Sequence, residues 1–205
     1  NLSTFDQIVA GIASAGSASN IITSTGGDLT VNGVQNTTYN GRLTGPLALT
    51  RAGTGSTTLG GANTYSGGTT INAGRLFIAN PGSLTPNGAV QINNGGTLNL
   101  NANGAPTYSQ SITLASGGRL AMRKAATLSN VTLPSTGSVI FNSDDQSTVG
   151  FALNKNLALT GNLTVQVGGA QGSPGNVTLS GTISGGGGLN NTEAGTLVLT
   201  GANTY

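Results

Sequence analysis

The sequence predicts an all-β solenoid of parallel strands, coiled into about nine rungs. Three observations predict it. The first is an apolar–x–apolar pattern whose second members are Tyr39, Leu59, Ile78, Leu100, Met122, Phe141, Leu159, Leu179 and Leu199, close to evenly spaced along the chain. The second is the punctuation between these patterns, such as Asn93-Asn94-Gly95-Gly96 and Pro134-Ser135-Thr136-Gly137, where Gly and Asn accept positive φ cheaply. The third is a long internal repeat. Residues 36–65 and 176–205 align without a gap, sharing Gly41/Gly181, Gly45/Gly185, Leu49/Leu189, Gly55/Gly195, Leu59/Leu199 and both copies of GANTY. At the spacing of the apolar pattern, the two copies are expected to stand seven rungs apart.

Taken in order, residues 1–27 differ from the rest. Phe5, Ile8, Val9 and Ile12 fall at i, i+3, i+4 and i+7, which predicts a short amphipathic helix, with Ser3 and Asp6 in a capping arrangement. Gly11 and Gly16 weaken that helix and help end it. Residues 1–27 are expected to cap the stack, with a linker from an upstream domain as the competing reading. The β-helix is expected over residues 28–205. Leu29–Val31 is its first strand, bounded by Gly26-Gly27 and Asn32-Gly33. Most later repeats offer two short strands, the second set including Val90 with Ile92, Ile112 with Leu114, Val131 with Leu133, Val149 with Phe151, and Leu163 with Val165 and Val167. Uniform spacing favours coiling over hairpins, so each strand lies parallel on its predecessor. Nine rungs at about 4.8 Å make a rod roughly 40–45 Å long. Leu59, Ile78, Leu100, Met122, Phe141, Leu159, Leu179 and Leu199 are expected to stack inward in one ladder, with Thr97 facing out.

Composition bounds the function. Of the 205 residues, 36% are apolar and 6% charged, and the formal net charge is +2. Seven cations against five anions lack the clustered Lys and Arg of a nucleic-acid footprint. The chain has no Cys and no His, which removes disulfides, thiolate catalysis and soft metal sites. No apolar run is long enough to span a membrane as a helix, and the start of the chain lacks the basic and apolar regions of a signal peptide.

The segment Gly61-Ala62-Asn63-Thr64-Tyr65-Ser66-Gly67-Gly68-Thr69-Thr70 continues as INAGRL to Leu76, and its first half returns at Gly201, Asn203 and Tyr205. Here the glycines turn the chain between stacked strands. Asn63 is placed to bond its own backbone or an Asn of another rung, and Tyr65 supplies apolar area at a Gly-rich corner. An aromatic sugar platform is the sharper alternative. This segment resembles the passenger-associated transport repeat of bacterial autotransporters. The resemblance implies a right-handed parallel β-helix, secreted through the outer membrane of a Gram-negative cell, with the motif serving secretion and folding. It also implies a translocator barrel outside this chain, since no barrel pattern is visible, and a chain cut within a repeat at Tyr205.

Chemistry has little material. The one adjacent acidic pair, Asp144-Asp145, with Lys155, Arg123 and Lys124 on nearby rungs, reads as an exposed turn rather than a catalytic group. No catalytic residue, metal ligand or cofactor is expected. GGxGxD calcium repeats are missing, and the Asn-x-Ser/Thr sites at Asn36, Asn130, Asn162 and Asn176 are chance matches in an Asn- and Thr-rich chain. The expected function is a structural and adhesive cell-surface module, with self-association or host-surface ligands as partners and no nucleic acid. A carbohydrate-active enzyme fragment and an extracellular fibre subunit are the alternatives. The final rung is expected to present an unpaired edge at Leu197 and Leu199 and to associate with rising concentration.

Overall fold

The computed structural model describes residues 1–14, 19–80, 82, 84, 88–101, 103–104, 106–123, 126–143, 150–168 and 175–205. Among them the chain is a parallel β-solenoid of about eight turns, and every strand pair is parallel. One face is an eight-stranded sheet: Thr37–Tyr39, Ser56–Leu59, Gly74–Ile78, Gly96–Leu100, Arg119–Met122, Gly137–Ser143, Leu163–Gly168 and Leu189–Asn191. A second face has seven strands, from Gln7–Val9 through Leu29–Val31, Leu49–Arg51, Thr69–Ile71, Val90–Ile92 and Ile112–Leu114 to Val131–Thr132. The third face is assembled from shorter sheets, beginning with Ile21–Thr23, Arg42–Gly45 and Thr64–Tyr65. A turn therefore carries three strands where the sequence suggested two. The third is often no more than Thr-Tyr or Thr-Leu, too short for alternation to show.

The core is a column of inward side chains. Tyr39, Leu59, Ile78, Leu100 and Met122 occupy successive positions of one register ladder, as expected, and all are buried. The ladder then changes course. Phe141 stands against Leu120 and Val167, not Met122. Leu159 pairs with Gly185 in a separate two-stranded sheet, while Leu179 lies between Leu153 and Leu199 on the third face. The cause is turn length. One turn carries the chain from Tyr39 to Leu59, but later turns run from Phe141 to Val167 and from Val165 to Asn191, which are markedly longer. The even spacing that continues in the sequence therefore counts between faces in this region.

The internal repeat shows the same effect. Leu49–Arg51 lies in the seven-stranded sheet, whereas its counterpart Leu189–Asn191 lies in the eight-stranded one. Thr37–Tyr39 belongs to the eight-stranded sheet, and its counterpart within Asn176–Leu179 belongs to the third face. The second copy is thus turned by one face around the stack, so the two copies are not separated by a whole number of turns.

The N-terminal helix does not form. Gln7–Val9 is a strand paired parallel with Leu29–Val31, and Ile21–Thr23 pairs with Arg42–Gly45. Phe5 is 70% and Ile8 74% exposed, whereas Val9 and Ile12 pack against the core, so the four residues do not form one apolar face. β-branched Ile8, Val9, Ile21 and Ile22 suit extended chain, and the stack offers an edge of backbone donors and acceptors that a helix could not use. Asp6, read as a cap for Ser3, instead accepts the backbone N–H of Asp28 at 2.9 Å.

Thr97 is another correction. It is only 7% exposed, and every residue of Gly96–Leu100 is buried. It points outward as alternation requires, but it sits between Arg75 and Arg119 in the register ladder. Alternation assigns a side of the sheet; it does not say whether long neighbours cover it.

Continuity between turns is interrupted after Val131–Thr132. The next strand on that side, Leu157–Leu159, starts a new two-stranded sheet with Ile183–Gly185. Lys155 Nζ crosses the step, donating to Asn130 Oδ1 at 2.8 Å and Thr132 Oγ1 at 3.0 Å.

Candidate functional site

The glycines and Asn63 of the motif lie at the corners, where the chain leaves one face for the next, while Thr64, Tyr65, Thr69 and Thr70 are strand residues. Asn63 is buried, and its Oδ1 accepts the backbone N–H of Leu43, one turn away, at 2.8 Å. Its counterpart Asn203 does the same for Ile183 at 3.0 Å. Asn63 therefore ties one turn to another through a backbone donor, a partner not anticipated from the sequence. Asn-to-Asn stacking occurs elsewhere, where Asn93 Nδ2 donates to Asn72 Oδ1 at 2.7 Å.

Gly61 and Gly201 are needed for proximity. A Cβ at Gly61 would overlap the carbonyl oxygen of Gly41, and one at Gly201 that of Gly181. Gly45 and Gly185, also an aligned pair, have φ of +86° and +107°, a region that L side chains rarely adopt. Ala62 and Thr64 flank Asn63, with Thr64 exposed. Gly67 packs against backbone of Pro46–Ala48, and Gly68 has φ of +89°. Thr69 is inward and Thr70 half-buried.

Tyr65 is 1% exposed, and its hydroxyl meets Thr69 Oγ1 at 2.7 Å. Tyr205, its aligned partner, is exposed. Tyr108 fills the third face further along, and its hydroxyl is buried without a hydrogen-bond partner among the described residues. Burial pushes both Tyr65 and Tyr108 up to about 12, with the Thr69 hydrogen bond opposing at Tyr65. The neutral phenol is thus favoured in the folded state. Its contribution is complete below about pH 10, the ordinary tyrosine value, and is lost as pH rises through the folded value. Stability is expected to fall between about pH 10 and 12, by about 2–3 kcal/mol from Tyr65 alone. Replacing both tyrosines by Phe should flatten the alkaline limb of a denaturation-against-pH curve; an unchanged limb would contradict the assignment.

Asx oxygens repeat the tie of Asn63 along the stack. Asp28 Oδ1 accepts from Ala48 N, Asn36 Oδ1 from Ser56 N, Asn156 Oδ1 from Thr182 N and Asn162 Oδ1 from Gly188 N. Such oxygens satisfy corner donors that no sheet ladder reaches. Asn36 and Asn162, read as chance glycosylation matches, have this structural use.

Arg51 escaped sequence reasoning. It occupies an inward position between Val31 and Ile71 and is 1% exposed. Nη1 donates to Val31 O at 2.7 Å and Nη2 to Gly33 O at 2.8 Å, while Nε has no partner among the described residues. Burial lowers its pKa from the ordinary value. Its aligned residue Asn191 also bonds corner backbone, donating to Gly195 O at 2.7 Å. That shared polar position at 51 and 191 was the available signal.

Asp144, Asp145, Lys124 and Val149 lie outside the described residues. Among the described residues, no group of three or more His, Cys, Asp or Glu could hold a metal ion, and no helix is long and apolar enough to cross a membrane.

The corner chemistry is shared by two stretches, and a family comparison matches the same two. The passenger-associated-transport-repeat family matches residues 49–76 and 189–205. The chain carries the passenger-associated-transport repeat. No curated protein and no solved structure matches the chain. The repeat and the parallel solenoid together support a fragment of an autotransporter passenger, a class secreted to the surface of Gram-negative cells. A translocator outside this chain is implied by that context. Within the first matched stretch, Gly61 and Asn63 both meet backbone of the adjacent turn.

Proposed function

We propose that the chain is a structural length of a secreted passenger, a stalk whose flat sides associate with a second copy. The observation that supports the stalk is how Asn63, Asn203, Gly61 and Gly201 are used: each is committed to the adjacent turn. Little of the repeat is left over for a ligand or for catalysis.

The surface that supports association is the outside of the seven-stranded sheet. Thr30, Thr50, Thr70, Gln91, Thr113 and Thr132 form one outward column in register. All are half-buried and none is charged. Hydroxyls and methyls repeat at the strand spacing of about 4.8 Å. A second copy of the same column presents matching donors and acceptors, with the Lys155 ammonium reaching the column at its Thr132 end. Sedimentation of the purified chain at rising concentration tests this. Association is expected for the parent and loss of it for Thr50→Lys with Thr113→Lys, since like charges then face each other across the contact. A parent that stays monomeric, or a variant that associates equally, would remove the side-by-side reading.

A further inference from the structure

A groove runs along the corner where the seven-stranded face turns into the eight-stranded one. Gly55, Gly74 and Gly95, from three successive turns, form its floor. At Gly55 and Gly74 a Cβ would overlap carbonyl oxygens of nearby backbone, those of Gln35 and of Gly53 and Gly55. At Gly55 and Gly74 the low floor is thus enforced by the stacking itself. Arg75, Phe77 and Arg119 stand along one side, and the space amounts to about 690 Å³. Its lining extends from Asn36 to Arg119, so the groove follows the solenoid axis across several turns.

The two arginines are set by register. Arg75 pairs with Thr97, and Thr97 with Arg119. They are therefore two strands apart, roughly 9–10 Å. Phe77 is the next outward residue of the same strand as Arg75 and is half-buried. Among the described residues no carboxylate lines the groove. The outward column of Thr and Gln on the neighbouring face is uncharged, so this corner is where fixed cations and an aromatic ring share one trough.

We propose that the groove binds a linear acidic polysaccharide, one that carries uronate carboxylates, laid along the solenoid axis. An open trough parallel to the axis suits an extended chain better than a compact ligand. A guanidinium fork donates two parallel hydrogen bonds to a carboxylate. The Phe77 ring offers an apolar face to the C–H side of a sugar. Charge density disfavours the other common polyanion: duplex DNA carries a charge about every 1.7 Å and calls for clustered Lys and Arg, whereas this groove holds two cations over roughly 10 Å. A neutral glycan offers neither guanidinium a carboxylate to grip. This site is separate from the outer column used for self-association.

The test is titration calorimetry of the full chain with oligogalacturonate of intermediate length, with dextran of similar length as the neutral control. Saturable binding of the oligouronate is expected, weakened by salt, with none of dextran. Arg75→Gln with Arg119→Gln should reduce affinity by about tenfold or more, and Phe77→Ala should weaken it while leaving the salt dependence unchanged. Thermal melts check that each variant folds; should the double change unfold the chain, Arg119→Gln alone gives the reading. Equal affinity of parent and folded arginine variant would overturn the proposal. So would dextran binding as tightly as oligouronate, no oligouronate binding at millimolar concentration, or tighter binding of duplex DNA.

Discussion

Leu100→Asp is expected to lower stability by several kcal/mol, because a carboxyl in that column must be buried unpaired or protonated. Leu100 is 1% exposed and stands between Ile78 and Met122. The change removes apolar contact from three turns at once and puts a polar group where no donor waits. Whole domains are stable by about 5–15 kcal/mol, so a large share of the total is at stake. A solenoid adds a second signature. Each turn rests only on its neighbours, so a broken middle turn should uncouple the two ends and broaden or split a denaturant transition. The control is Thr38→Asp, on the outward side of the same sheet and exposed. It should shift the midpoint little. Thr97, though outward, is too buried to serve as that control. Equal midpoints for the Leu100 and Thr38 variants would show that the inward column is misassigned.

Gly61→Ala is expected to be nearly as damaging, for a reason of space rather than polarity. The added methyl would collide with the carbonyl oxygen of Gly41, and backbone cannot swing aside as a side chain can. The corner must open, which strains the Asn63 bond to Leu43 and the strand that follows. A cost of about 2–4 kcal/mol is expected, in the range of strain and overpacking in a tight interior. Gly201→Ala repeats the collision against Gly181. Gly186→Ala is the contrast: no atom of the described residues stands within 4 Å of its would-be Cβ, and its φ is not positive. That change should be neutral or stabilise by about 0.4–1 kcal/mol through the unfolded chain. Thermal melts of the three variants check the ranking. A Gly61 variant as stable as the parent would mean that the corner is looser than drawn.

The parts legible in the sequence are those where one period holds. From Tyr39 to Met122 the turns are nearly equal in length, and the second member of each apolar pair falls on the observed ladder. Beyond Phe141 the turns lengthen, as the partners Phe141 and Val167, then Val165 and Asn191, show. The apolar pairs keep their even spacing along the chain, so they pointed to a continuing column that the chain does not make. Gln7–Val9 was misread because four apolar residues at helical spacing fit a helix until an adjacent strand is known to be waiting. At the motif, Gly and Asn were recognisable as corner residues. Their partners were not, since Gly41 and Leu43 lie a whole turn away and no local rule reaches that far. Arg51 was overlooked for a related reason: a lone cation after Leu-Thr looks like a surface residue until its guanidinium is seen to cap the carbonyls of Val31 and Gly33.

The displaced second copy of the repeat has a consequence for how such rods diversify. The same stretch of sequence folds at two compass bearings about the axis. Nothing inside it specifies a bearing; the number of strands laid down between the copies does. Lengthening a corner costs little, because closure entropy grows slowly with loop length, and it leaves each later strand on its face, stacked on its predecessor. Adding or dropping one short strand between copies would instead move every later copy by one face. Strand number alone could thus gather tandem copies of one motif on a single flank of a filament or wind them around it as a spiral.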